Sequence, residues 1–289
     1  MTKKIKLPYK LLIYDIETSP IKAWIWRPGD QIVRHDQLDV QYSMYEILTL
    51  AYKWHGEKEV HILTGENILR DFDKLVKQSD ATIGKNSDNF DVKHINTQRM
   101  LQDLPPLPQW INQAEDLEKQ LRRYFAFPSQ SLDYIAKLLG TGGKIKMERQ
   151  DWIDIMNMRV MERFRSLNHT KTILNDISTE LFKSNYVTVM HLGAIAFAKM
   201  CKYNKKDVLD TEFILNKVLP HVKLRKNANV LSGGDGCITC GSKRLLKGKV
   251  VTAGKTKYQE FECLEHEGYA GRATWNYSKN RNKVYGKLS

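Results

Sequence analysis

The chain has 289 residues, 42% of them hydrophobic, with 46 Lys and Arg against 33 Asp and Glu and a formal net charge of +13. This composition excludes a disordered chain, and no apolar run reaches the roughly 18–20 residues that a membrane-spanning helix needs. The first ten residues, MTKKIKLPYK, lack the long apolar stretch of a signal peptide, so a cytoplasmic, non-secreted protein with no membrane partner is expected.

Strands come first. KLLIYDIE reads as one, and IKAWIW as a second, short and aromatic, with Trp24 and Trp26 turned to the core. EILTLAYKWHG and EVHIL follow. Strands in immediate succession, joined by turns, predict an antiparallel meander. Residues 66–79 then place Ile68, Leu69, Phe72, Leu75 and Val76 at helical spacing. DATIGKN returns as a short strand. FDVKHINTQRMLQD reads as a helix that stops before the prolines of LPPLP. From 113 to 220 nearly all is helical. SQSLDYIAKLLG begins on a Ser cap and ends on Gly140. MERQDWIDIMNMRVMERF and the long VTVMHLGAIAFAKMCKYNKKDVLDTEFILNKVL follow, the second with an expected break near 202–204. The pattern predicts an α/β class, a mixed sheet flanked by helices. It occupies residues 1–222, followed by a polar linker over 223–236 and a small module over 237–289.

The first strand poses a physical question. Period-2 alternation puts Asp15 and Glu17 on the face of Leu11 and Ile13, the side that packs. Unpaired buried carboxylates are costly, so something positive is expected beside them. Two more segments supply acids. IGKNSDNFDVKHI holds Asn86, Asp88, Phe90 and Asp91 at a strand-to-helix junction. KYNKKDVLD holds Tyr203 and Asp207 four residues apart, hence one turn apart on one helix face. Asp88 is expected as a loop or cap residue, Asp116 and Asp133 as structural, and Asp210 as solvated.

DIET, then N-SDN-FD, then Y-x3-D resemble, in order and on the predicted elements, the three motifs of the DEDDy 3′→5′ exonucleases. These are the proofreading-type branch of the ribonuclease H-like superfamily. The resemblance covers roughly residues 8–220. It implies a ribonuclease H-like sheet and a phosphodiester hydrolase in which Asp15, Glu17, Asp91 and Asp207 hold two Mg²⁺ or Mn²⁺ ions. It further implies that Tyr203 orients the attacking water, that Thr18 touches the terminal nucleotide, and that Asn86 fixes backbone at the substrate site. The donor chemistry agrees. Four converging carboxylates repel one another, and hard cations with oxygen ligands relieve that. Two such ions about 4 Å apart stabilise the attacking and leaving oxygens of a phosphodiester displacement.

The C-terminal region differs. Cys237 and Cys240 form C-x2-C, and Cys263 and His266 form C-x2-H, with 22 residues between the pairs. Three thiolates and an imidazole suit one tetrahedral zinc ion. The intervening residues read as two or three strands with turns at Lys247-Gly248 and at Gly254. The module resembles a zinc ribbon, in which the last ligand is more commonly Cys, so His266 departs from the pattern. A module of about 50 residues buries little core, and structural zinc is expected to supply the missing stability.

Charge is uneven as well. Residues 221–289 hold 14 Lys and Arg against 5 Asp and Glu, and residues 1–220 hold 32 against 28. A basic tail on a near-neutral body points to a polyanion. Tyr258, Phe261, Tyr269, Trp275, Tyr277 and Tyr285 interleave with its cations, and such aromatics stack on bases or fill the small core. The expectation is a metal-dependent 3′→5′ exonuclease that prefers DNA to RNA and whose zinc module grips nucleic acid. The layout resembles phage-encoded replication exonucleases, with host cytoplasm as the location and a replication polymerase or other replication protein as the candidate partner. The alternatives are an exoribonuclease and a catalytically inactive nucleic-acid-binding accessory protein. The mark of the last would be a missing carboxylate, and none is missing.

Overall fold

The computed structural model of the chain describes residues 5–27, 29, 32–39, 44–108, 115–142, 145–167, 179–231 and 233–274. Expectations for the cations and aromatics from 275 onward fall outside the described residues.

A five-stranded mixed sheet runs in the order β3-β2-β1-β4-β5. Its central strand is β1 (Leu11–Thr18), antiparallel to β2 (Ile47–Trp54) and parallel to β4 (Ala81–Gly84). The edges are β3 (His61–Thr64), antiparallel to β2, and β5 (Glu115–Asp116), parallel to β4. Alternation along β1 serves both faces. Leu12, Tyr14 and Ile16 pack with α1 (Ile68–Gln78) and α2 (Asp91–Leu101) on one side, through Ile68, Phe72, Val76 and Ile95. Leu11 and Ile13 face the other side, toward α3 (Leu117–Tyr124) and α4 (Leu132–Leu139) and the end of the longest helix. Ser131 caps α4 by accepting from the Tyr134 N–H at 3.2 Å, and Gly140 closes it at φ +94°.

That longest helix, α6, runs unbroken through Thr179–Val218. The break expected near 202–204 is absent. Asn204 is buried and spends its side chain on β1 and β2 rather than on its own backbone, so it does not compete with the helix. The first half of α6 packs antiparallel on α5 (Arg149–Leu167). Gly193 lies against Met158 and Asp154, and Lys199 pairs with Asp151 at 2.6 Å. The second half packs on β1 and β2, where the buried Lys53 pairs with the buried Glu212. Glu212 also accepts from the Gly56 N–H at 2.7 Å.

Three other expectations are corrected. IKAWIW is not a strand: Ala23 makes a single bridge to Leu38, and Trp24 and Trp26 are 67% and 92% exposed. Aromatic composition gives β-propensity, but the segment lies past the end of β1, where among the described residues no neighbouring strand runs. Asp210 is buried against Lys206 rather than solvated. The small sheet β6-β7-β8 (Leu245–Ala253, Thr256–Cys263, Gly268–Thr274) turns at Gly254, but Lys247-Gly248 lies inside β6 at a bulge. The Gln259 carboxamide fills that bulge, donating to the Gly248 carbonyl at 2.8 Å.

The chain between body and small sheet packs closely. Leu224 and Ala228 are buried, and a single turn, α7 (Ala228–Leu231), is fixed by Asn229 accepting from the Gly236 N–H at 2.8 Å.

Candidate active site

β1 and α6 build the acidic site. Asp15 and Glu17 stand on the β1 face that α6 crosses, and Asp207 descends from α6. Each of the three offers a carboxylate oxygen within 4.8 Å of the other two. Asp207 is buried, while Asp15 and Glu17 are half-buried, so the cluster opens to solvent on the strand side. A β-bulge between Glu17 and Thr18 shifts the register with β2 just beyond the cluster, and bulges of this kind re-aim side chains. Oxygen-rich clusters of this type can hold a divalent cation.

Asp91 is placed differently. It is the first residue of α2, and its Oδ1 accepts from the Ile16 N–H at 2.9 Å, between Asp15 and Glu17 in the chain. It lies outside the group of three, but it is anchored to the strand segment that carries two of them. Burial, aided by the neighbouring Asp116 carboxylate, pushes its pKa up to about 7. Positive charge brought near it would favour its ionised form.

The turn leading to Asp91 is held by Asp116. This carboxylate accepts from the Asn86 N–H at 2.9 Å, the Asp88 N–H at 3.3 Å and the Glu118 N–H at 2.9 Å, capping α3 as well. Asn86 sits at φ +62°, and its side-chain oxygen accepts from the Asn89 carboxamide at 3.2 Å. Burial raises the pKa of Asp116. Asp88 takes an ion pair from Lys119. Tyr203 is half-buried on α6, one turn before Asp207, and Thr18 is half-buried at the end of β1 opposite Ile47.

One positioning residue escaped the sequence reading. Asn204 is fully buried and donates from Nδ2 to Asp15 Oδ2 at 2.7 Å and to the Asp15 carbonyl at 3.2 Å. Its Oδ1 accepts from the Thr49 hydroxyl at 2.9 Å. A signal did exist, because Asn is a poor choice inside a helix and calls for a side-chain partner.

A second cluster lies in the C-terminal module. Cys237, Cys240, Cys263 and His266 are all buried and offer ligand atoms within 4.8 Å of one another. Both pairs form knuckles in which a backbone N–H points at sulfur: Thr239 to Cys237 at 3.3 Å, and Glu265 to Cys263 at 3.4 Å. His266 presents Nε2 to the Cys237 sulfur at 3.1 Å. The contact with Cys240, helped by His266, lowers the Cys237 thiol to about 4, while Cys240 and Cys263 are raised. Negative charge does not accumulate on such a cluster unless a cation shares it. The Cys3His donor set fits a tetrahedral metal ion. Gly268 is required there, since a Cβ would lie 2.5 Å from the Pro220 carbonyl and 2.9 Å from His266 Nδ1.

No protein-family model matches the chain, and no curated protein matches it. Among solved structures, the chain is similar to the family B DNA polymerase from the hyperthermophilic archaeon Pyrobaculum calidifontis, at 14% sequence identity and a TM-score of 0.37. The match covers 87% of this chain and 32% of that one, so the chain spans a minor part of the polymerase's length. Among the described residues no helix is long and apolar enough to cross a membrane.

Proposed function

We propose that the chain is a two-metal-ion 3′→5′ exonuclease of the DEDDy type, with a ribonuclease H-like body over residues 1–222, a connector over 223–236 and a zinc-ribbon module over 237–289. The observation that carries the reading is the convergence of Asp15, Glu17 and Asp207 from distant chain segments onto one sheet face. Evolutionary coincidence of sequence motifs does not require that geometry; a cation site does.

In this reading Asp15, Glu17, Asp91 and Asp207 hold two Mg²⁺ or Mn²⁺ ions. When bound, these ions activate water and stabilise charge on the leaving oxygen. The protein's own groups do the rest. Asn204 fixes the Asp15 carboxylate. Tyr203 orients the attacking water through its phenol, which need not ionise, and Thr18 contacts the terminal nucleotide. Asn86 holds the turn that presents Asp91. Cys237, Cys240, Cys263 and His266 hold one structural zinc ion, and the basic module grips the polyanion. DNA is the first substrate and RNA the second, in replication or processing of nucleic acid, phage-type chains and a replication polymerase partner included.

End-labelled DNA and RNA oligonucleotides, single and double stranded, incubated with Mg²⁺, Mn²⁺ or chelator, test the proposal. Shortening from the 3′ end that needs the cation is expected. Asp15→Asn and Asp207→Asn are expected to abolish it while leaving binding in place, and Tyr203→Phe to slow it about 10–100-fold. Undiminished turnover in the Asp variants would refute the assignment.

A further inference from the structure

Between α2 and α5 lies a cleft of about 660 Å³, within the roughly 300–1,000 Å³ typical of ligand clefts. Gln98 and Gln102, one turn apart on α2, form one wall, and Arg159 and Glu162 on α5 form the other. The floor is apolar: Ile47 from β2, with Ile68 and Leu69 from the first turn of α1. Both walls are tied to the chain that leads into β2. Gln98 donates to the Tyr45 carbonyl, and Arg159 pairs with Glu46 at 3.2 Å. Such ties form the cleft in advance and lower the ordering cost of binding.

The charge of the cleft runs against the rest of the molecule. The chain carries a net +13, yet Glu46, Glu66 and Glu162 line this cleft and no lysine is among its described members. Its one described cation, Arg159, is taken up by Glu46, and the buried Arg159 Nε has no hydrogen-bond partner among the described residues. Three carboxylates above an apolar floor repel a polyanion and attract a cationic segment. The orphan N–H needs an acceptor as well. A peptide carbonyl supplies one; a small amine cation does not. Two helices facing each other across apolar side chains form the kind of groove in which an amphipathic helix lays its apolar face.

We propose that this cleft docks a cationic amphipathic helix of a partner protein, its apolar stripe on Ile47 and Leu69 and its Lys or Arg side chains on Glu46, Glu66 and Glu162. The Ser19 N–H donates to the Glu46 carbonyl and the Glu46 N–H donates to Ser19 Oγ, each at 2.8 Å. A partner seated here is thus held beside the end of the strand that carries Glu17. The proposal goes beyond the nuclease reading and does not depend on it.

Three fluorescent peptides, each titrated with the full chain and read by anisotropy, test it. The first is a helix of about 14 residues, about 21 Å long, with Leu at every third or fourth position and Lys elsewhere. The second replaces each Lys by Glu. The third keeps the composition of the first but scatters the Leu around the helix. The native chain is expected to bind the first at least about tenfold more tightly than the other two. Glu66→Lys and Glu162→Lys, with Glu162→Gln as the milder change, are expected to weaken that binding, each reversal by about tenfold, with unchanged unfolding midpoints. Glu59→Lys, the same charge change on the turn between β2 and β3, is expected to bind as the native chain does. Cleft variants that bind the first peptide like the native chain would overturn the site. Equal binding of the second peptide would overturn the charge match, and equal binding of the third would reduce the cleft to a charged patch and overturn the docked helix.

Discussion

Asn204 joins three parts of the site with one carboxamide: the Asp15 carboxylate, the Asp15 carbonyl and the Thr49 hydroxyl. Its removal leaves buried polar groups unsatisfied and the first carboxylate unaimed. Asn204→Ala is expected to cost about 1–3 kcal/mol of stability and to weaken Mn²⁺ binding about 10–100-fold, measured by denaturant melts and by calorimetric titration. Unchanged Mn²⁺ affinity would reduce Asn204 to a packing residue. The acids themselves were legible, because period 2 put Asp15 and Glu17 on one face and a four-residue step put Tyr203 above Asp207. The turn of the Asp91 carboxylate onto the Ile16 amide was not. Alternation describes where side chains point and is silent on which strand-edge N–H groups lack a partner.

Among the elements, the α5–α6 pair shows how closely two helices can approach. A Cβ at Gly193 would lie 2.3 Å from Met158 Cβ and 2.9 Å from the Asp154 carbonyl. Gly inside a helix costs about 1 kcal/mol relative to Ala, so packing is what keeps it. Gly193→Ala is expected to lower stability by about 1–3 kcal/mol despite its better propensity, seen as a lower thermal midpoint. A rise in that midpoint would mean that the helices stand further apart. Most helices were legible through apolar spacing and caps, as at Ser131 and Gly140. The two-residue β5 was not, since so short a strand carries no period. IKAWIW misled because exposed aromatics and strand aromatics share a composition.

At the scale of the molecule, the C-terminal cysteines belong to the main core. One apolar cluster runs from Leu11 and Ile13 through Leu215, Leu219, Val222 and Leu224 to Cys237, Cys263 and Ala270. The sequence predicted the donor set from its C-x2-C and C-x2-H spacing but gave no sign of this continuity, because Pro220 to Gly236 reads as polar and basic. Removing the metal is therefore expected to destabilise the entire chain, not the module alone. Chelator or Cys240→Ser should lower a single cooperative thermal transition and cut zinc per chain by elemental analysis. Two separate transitions, or full zinc in Cys240→Ser, would count against it.

The 40 residues of α6 carry one more consequence. At 1.5 Å per residue the helix is a ruler about 60 Å long. It packs on α5 near Gly193, sets Asp207 against β1, and ends at Val218, ahead of the connector to the cysteine module. Loops can drift in length without harm, but this ruler cannot. One residue inserted between Met200 and Asp207 would swing everything upstream by about 100° relative to the acids.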